Sequence, residues 1–176
     1  MKALKIVSGG QTGVDRAALD LALKHGIACG GWCPAGRLDE FGRIPDRYPV
    51  RELERRNKLR HGDGVDTSAV WEKPDIFAQR TLANVKDSDG TVIIYIGELR
   101  GGTEYTVECC EHLQRPHQLV NASRTSAQKA GKLIADFVRD NKIAILNVAG
   151  PRQSGWADGY QYATEALDGF LKLAYG

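Results

Sequence analysis

Three times in this 176-residue chain a short apolar run breaks into a glycine-rich turn that opens a helical pattern, and no other feature narrows the fold as much. The runs cover residues 4–8, 91–96 and 143–148. The turns that follow are Gly9-Gly10-Gln11-Thr12-Gly13, Gly97-Glu98-Leu99-Arg100-Gly101-Gly102-Thr103 and Ala149-Gly150-Pro151-Arg152-Gln153-Ser154-Gly155. These runs are apolar without polar alternation, as strands buried on both faces of a parallel sheet are. Strands alternating with helices build right-handed crossovers and a sheet covered on both sides. The expected architecture is therefore an α/β, three-layer α/β/α sandwich with a mostly parallel central sheet, in which residues 4–8, 92–96 and 143–148 are the inner strands.

Around this frame the rest of the chain falls into place. A helix over 14–25 carries Val14, Ala17, Ala18, Leu21 and Ala22 on one face, with Thr12 as N-cap and Gly26 as stop. A second strand is expected over 27–32. Residues 33–49 contain Pro34, Gly36, Gly42, Pro45 and Pro49, which forbid a long regular element and suggest a functional lid or a disordered segment. The basic segment 51–60 reads as a short solvated helix. Pro74 opens a helix over 75–85, and Asp87 and Asp89 are turn residues before the next strand. Helices over 103–113, 130–138 and 158–173 and a short strand over 118–120 complete the pattern, and residues 1–176 read as one domain.

Composition works mainly by exclusion. Lys and Arg number 24 against 22 Asp and Glu, and a surplus of +2 argues against nucleic acid as a partner. No apolar run approaches the roughly 20 residues that cross a bilayer, and the first residues lack a signal-peptide core, so no membrane association and a cytoplasmic location are expected. Cys29, Cys33, Cys109 and Cys110 form no Cys-x-x-Cys pair, and no metal site is expected. Phe170, Leu171 and Leu173 on the last helix suggest an apolar face that a homo-oligomer would cover.

The carboxyl ends of parallel strands share one edge of the sheet, and ligands bind in the crevice there. Each glycine turn brings backbone N–H groups and a helix N-terminus to that edge, and glycine lets phosphate oxygens approach the backbone without a Cβ between them. The candidate binding residues are Gly9, Gly10, Gln11, Thr12, Gly13, Arg16, Gly101, Gly102, Thr103, Gly150, Arg152 and Ser154, with Arg16 and Arg152 as phosphate clamps. The partner they predict is a phosphate-bearing small molecule. Arg37, Glu40, Arg43 and Arg47 are candidate lid residues, while Trp32, Tyr48 and Trp156 either pack under a loop or stack on a ring. Other familiar motifs are missing. There is no Gly-x-x-x-x-Gly-Lys-Ser/Thr and no Gly-x-Ser-x-Gly, and only the last half of Gly-x-Gly-x-x-Gly occurs, at Gly10-Gln11-Thr12-Gly13.

Longer runs carry a resemblance. Gly9-Gly10-Gln11-Thr12-Gly13-Val14-Asp15-Arg16-Ala17-Ala18-Leu19-Asp20, Gly31-Trp32-Cys33-Pro34-Ala35-Gly36-Arg37, Ile44-Pro45-Asp46-Arg47-Tyr48-Pro49, the segment from Arg80-Thr81 to Asp87-Ser88-Asp89-Gly90-Thr91, Gly101-Gly102-Thr103 and Leu146-Asn147-Val148-Ala149-Gly150-Pro151-Arg152 resemble the "putative molybdenum carrier" family over nearly the whole chain. That family belongs to a wider Rossmann-like group, similar to the lysine-decarboxylase-like cytokinin-activating enzymes and to DNA-processing proteins. The resemblance implies a Rossmann-like domain that holds a nucleotide, or a molybdopterin-type cofactor, at the glycine turns. It also implies an alternative, hydrolysis of the N-glycosidic bond of a nucleoside monophosphate. The cytokinin-activating enzymes use Pro-Gly-Gly-x-Gly-Thr-x-x-Glu for this. Here the text is Arg100-Gly101-Gly102-Thr103-Glu104-Tyr105-Thr106-Val107-Glu108, which lacks the further glycine and changes the spacing to glutamate, leaving Glu104 and Glu108 as candidate acid or base.

Overall fold

The computed structural model describes residues 4–54 and 75–176. Among these, five strands form the central sheet: β1 (Lys5–Val7), β2 (Ala28–Gly30), β7 (Gly90–Tyr95), β8 (His117–Asn121) and β9 (Ile145–Ala149), in the order β2-β1-β9-β7-β8. Every neighbouring pair is parallel. The three expected inner strands are β1, β7 and β9, and they occupy the three interior places. Their side chains explain why: Ile6, Val92, Ile93, Ile94, Leu146 and Val148 have no exposed surface, which only an interior strand covered on both faces provides.

The helices are α1 (Val14–Lys24), α2 (Ile76–Lys86), α3 (Gly101–His112), α4 (Ala127–Asp140) and α5 (Gly159–Tyr175). On one face α1, α4 and α5 bury Ala17, Leu21, Ile134, Leu167 and Phe170 against Ile6, Val92, Ile94, Leu146 and Val148. On the other, Ala78, Leu82 and Val85 of α2 and Tyr105, Cys109 and Cys110 of α3 pack with Ile93. The result is the Rossmann-like sandwich expected. Phe170 and Leu171, however, belong to the buried interior, at 0% and 5% exposed, because the face of α5 that carries them lies against the sheet; Leu173 alone of the three is open, at 63%.

The strand order has a specific meaning. Numbered along the chain, the five sheet strands run 2-1-5-3-4. If β9 and α5 were moved to the front, the order would become 3-2-1-4-5, that of a doubly wound dinucleotide-type sheet. The chain is such a sheet with its termini relocated, and the point where the order reverses falls between β9 and β7.

Several local expectations change. Gly13, not Thr12, is the N-cap of α1, and it offers no side-chain bond. The expected strand over 27–32 breaks at Gly31, where the chain leaves the main sheet: β3 (Trp32–Cys33) pairs instead with β6 (Arg51–Glu52) in a separate parallel pair. Arg51 and Glu52 are therefore strand rather than helix, and residues 55–60 and Pro74 lie outside the described residues. Helix α2 starts at the cap Asp75, whose Oδ1 accepts from the N–H groups of Phe77 (2.8 Å) and Ala78 (3.1 Å). Helix α3 begins two residues before the expected Thr103.

Residues 33–49 are neither disordered nor a bare loop. They carry a hairpin, β4 (Leu38–Asp39) with β5 (Gly42–Arg43), over a small core of Leu19, Cys33, Ile44, Tyr48 and Val50. The Arg37 guanidinium ties the segment together by donating to the carbonyls of Val50 (2.6 Å), Pro45 (3.2 Å) and Tyr48 (3.0 Å). Tyr48 donates to Asp20 of α1 (2.6 Å), and Arg16 and Arg47 lie over the Tyr48 ring at 4.5 and 4.6 Å. Tyr48 is thus a packing residue. So is Trp156, in the main core 5.4 Å from Tyr162, whereas Trp32 lies under the Arg51 guanidinium (4.2 Å) and donates from Nε1 to Asp87 at 2.7 Å. Asp89 does hold a turn, accepting from Ala144 and Ile145 at the start of β9 (3.0 and 2.7 Å).

Candidate functional site

A cleft of about 980 Å³ opens at the carboxyl edge of the sheet, at the reversal between β9 and β7. Gly9 and Gln11 line it from the first glycine turn, Gly101, Gly102 and Thr103 from the second, and Gly150 and Arg152 from the third. Seven of the twelve expected binding residues therefore meet at one place. The other five do not line this cleft. Thr12, Gly13 and Arg16 border a smaller hollow with Asp39, Phe41 and Arg43, and Gly10 and Ser154 face elsewhere.

The glycines divide by what surrounds them. Around Gly101 and Gly102 there is open space: beyond their own helical turn, no atom of the described residues lies within 4 Å of where a Cβ would stand, so the first turn of α3 is open toward a ligand. Arg100 caps that helix without a side-chain bond, which leaves first-turn N–H groups for an incoming acceptor. Gly10 and Gly13 serve packing instead. A Cβ on Gly10 would press on Ile44 at 3.3 Å, and one on Gly13 would strike the Pro151 carbonyl at 2.6 Å. The first and third turns are glycine-rich largely because they pack on each other and on the hairpin.

Thr12, Arg152 and Ser154 do surround an anion, but it belongs to the protein. The Glu40 carboxylate at the hairpin tip accepts hydrogen bonds from the hydroxyls of Thr12 and Ser154 and from the Ser154 N–H (3.1 Å), with Arg152 Nε at 3.5 Å. Its own N–H donates to Gln11 Oε1 at 3.0 Å, and Gln153 N–H donates to the Thr12 hydroxyl at 3.1 Å. Burial works to raise the Glu40 carboxyl, but the bonds from Ser154 and Thr12 and the Arg152 charge prevail and hold it below the ordinary carboxylate range. Because the folded value is depressed, this contribution is present above the unfolded carboxylate value and is lost as pH falls through the folded one. Beside it, Arg16 is committed to Asp39 (2.8 Å) and the Gly10 carbonyl (3.1 Å), so it pins the hairpin rather than clamping a phosphate. Glu40→Ala is expected to cost about 1.5–3 kcal/mol, the range for hydrogen bonds to a charged group. Denaturant midpoint and the rate of proteolytic cutting within 38–43 are the readouts; no change in either would show that the latch contributes nothing.

The cleft also gathers residues that the turns do not reveal. Asp15, in the first turn of α1, is 4% exposed and accepts from Gln11 N–H at 3.3 Å. Burial raises its carboxyl, opposed chiefly by Arg80 of α2, whose Nη1 lies 3.4 Å away. Asn84, one turn further along α2, donates to the Trp32 carbonyl (2.9 Å) and accepts from the Trp32 N–H (2.8 Å), fastening β3 to the wall of the cleft. Phe77, Tyr95, Ile96 and Tyr105 supply apolar lining, with Phe77 46% and Ile96 42% exposed at the lip. Arg80 and Asn84 stand more than 60 residues from Gly9 and Asp15, so no spacing rule connects them; their trace in the sequence is that the run from Arg80 to Thr91 is one of those that carry the family resemblance. Glu104 and Glu108 do not line the cleft, because α3 turns Thr103, Tyr105 and Thr106 toward it instead.

The relocated termini accord with a family described as circularly permutated. The model of the circularly permutated YpsA SLOG family matches residues 6–171. The chain belongs to that family. Among solved structures, the SLOG chain is similar to a protein described as a "putative molybdenum carrier protein" from Syntrophus aciditrophicus SB, with 40% identity, a TM-score of 0.82, and coverage of 97% of this chain and 96% of that one. None of the curated proteins matches. No helix among the described residues is long and apolar enough to cross a membrane.

Proposed function

We propose that this SLOG protein is a carrier or binding protein that holds a nucleotide or other phosphate-bearing cofactor in the cleft between β9 and β7. The observation that carries the reading is the open first turn of α3 at Gly101, Gly102 and Thr103, which lines the same cleft as the arginines Arg80 and Arg152. Backbone N–H groups and guanidinium groups together suit a phosphate. The cleft is of the size that takes a whole small ligand, and its apolar lip at Phe77 and Ile96 suits a flat ring beyond the phosphate. A molybdopterin-type cofactor combines the same two parts, which accords with the name of the Syntrophus protein. Phosphate-bearing partners of this kind need no metal site in the chain, and the N-glycosidase alternative gains nothing from Glu104 and Glu108 where they stand.

Calorimetry with adenosine monophosphate and with molybdate tests the reading. Arg152→Ala is expected to weaken the nucleotide by one to two powers of ten, about 1.5–3 kcal/mol for a charge-assisted contact, with folding nearly intact because the side chain is 61% exposed. Binding of the nucleotide unaffected by Arg152→Ala and by Gly102→Val would place the ligand outside this cleft.

A further inference from the structure

Arg80 is held in an unusual way. Its guanidinium lies against the backbone of Gly9, where a Cβ would come within 2.6 Å of Nη1, 2.7 Å of Cζ and 2.9 Å of Nε. The side chain is 15% exposed, yet its Nε is buried without a hydrogen-bond partner among the described residues, and its ion pair there is the 3.4 Å contact to Asp15. An arginine prefers several short bonds in the plane of its fork. Among the described residues Arg80 is therefore a sparsely bonded cation at the wall of a cleft.

Asp15 depends on that cation. The groups that face it are Arg80 from α2, Ser8 from the end of β1, the Gln11 N–H from the turn, and Arg16 from its own helix. Arg16 is engaged with Asp39 and the Gly10 carbonyl, and the Ser8 hydroxyl donates to the Val148 carbonyl at 2.7 Å. Asp75 and Glu98 also line the cleft, both exposed at its rim. Both cations facing Asp15 have an Nε buried without a hydrogen-bond partner among the described residues, but Arg80 lines the cleft and Arg16 does not.

We propose that an anionic group entering the cleft takes the Arg80 guanidinium from Asp15, and that the Asp15 carboxylate then takes up a proton from solvent, so that anion binding and proton uptake are coupled. This rests on the reading of the cleft as an anion site. No covalent bond changes in the ligand: one proton moves from water or buffer to a carboxylate oxygen as the ligand's negative charge replaces that of Asp15 beside Arg80. Gly9 is then small to admit a guanidinium, and Arg80 is a positioning residue whose availability is set by Asp15.

The probe is sulfate, which remains a dianion across the working pH range, so any proton taken up belongs to the protein. Titration calorimetry in two buffers of different ionisation enthalpy is expected to show uptake of up to one proton per sulfate, with affinity falling up to about tenfold per pH unit as pH rises. Asp15→Asn is expected to bind sulfate at least as tightly as the wild type at high pH, with no proton uptake and no pH dependence. Gly9→Ala, whose added methyl displaces the guanidinium without requiring an unusual backbone angle, is expected to weaken sulfate at every pH and keeps the test decisive should Asp15→Asn fold poorly. Sulfate binding without proton uptake in the wild type, pH dependence that survives Asp15→Asn, or unchanged affinity in Gly9→Ala overturns the coupling alone. If neither sulfate nor adenosine monophosphate binds, the anion-site reading fails and the coupling with it.

Discussion

Gly31→Ala is expected to destabilise the fold by roughly 4 kcal/mol or more, enough to reduce soluble yield as well as the denaturant midpoint. The residue has φ +129°, where L side chains are strained, and that alone costs about 1–3 kcal/mol. Its Cβ would also lie 2.1 Å from the Ser8 carbonyl oxygen and 2.9 Å from Asn84 Oδ1. Neither neighbour is free to retreat. Ser8 N–H donates to the Gly30 carbonyl (3.0 Å), the Ser8 hydroxyl is bonded to β9, and the Gly31 carbonyl accepts from Arg51 N–H (2.8 Å). Asn84 is held at both ends of its amide by Trp32. Gly26→Ala is the control: φ there is +64° and none of the described residues beyond its chain neighbours comes within 4 Å of the added carbon, so only the conformational cost of about 1–2 kcal/mol applies. Equal losses in the two variants would mean that the chain does not cross so tightly from β2 to β3.

Arg80→Ala is expected to cost about 3 kcal/mol at mildly alkaline pH, the lower end for removing one partner of a buried pair, because the contact is long and Asp15 can protonate. The pH dependence follows from the raised carboxyl of Asp15. A carboxyl whose folded value lies above its unfolded one binds more protons in the native state between the two, so stability declines as pH rises through that window. Without Arg80 the largest opposing influence is gone, the folded value rises further, and the window extends upward. The variant is therefore expected to be closer to wild type near pH 5 than near pH 8, and Arg80→Ala/Asp15→Asn to recover most of the loss. Denaturant titrations at about these two pH values decide it. A double variant no more stable than the single one would show that the loss comes from packing against Gly9 and not from the stranded carboxylate.

The contacts made at Gly31 and at Glu40 are ones that no local pattern announces. Gly31 sits inside what reads as a continuous strand from 27 to 32, and only the demand of β3 for a partner outside the main sheet makes it a corner. Glu40 stands in a stretch whose prolines and glycines suggest a loose lid, yet Ile44, Tyr48 and Val50 give that stretch a core, and the hairpin tip delivers a carboxylate to Thr12 and Ser154. The hydroxyl of Thr12, well placed in sequence to cap α1, is taken by a residue 28 positions away. Local capping lost to a charge-assisted contact because the latter is the stronger bond.

Local pattern by itself determined the alternation of strands and helices, the three interior strands and the gathering of glycine turns at one edge. Those properties follow from backbone hydrogen bonding and from which side chains can lose water, and both are written in short windows. Tertiary structure alone decided that β9 enters between β1 and β7, which sets the third glycine turn against the first and opens the cleft on the second. It also decided that Gly9 makes room for Arg80 and that Asp15 shares its charge. These are pairings between segments distant in the chain, chosen by the packing of the whole sheet, and the residues that make them carry no mark of it in their own neighbourhood.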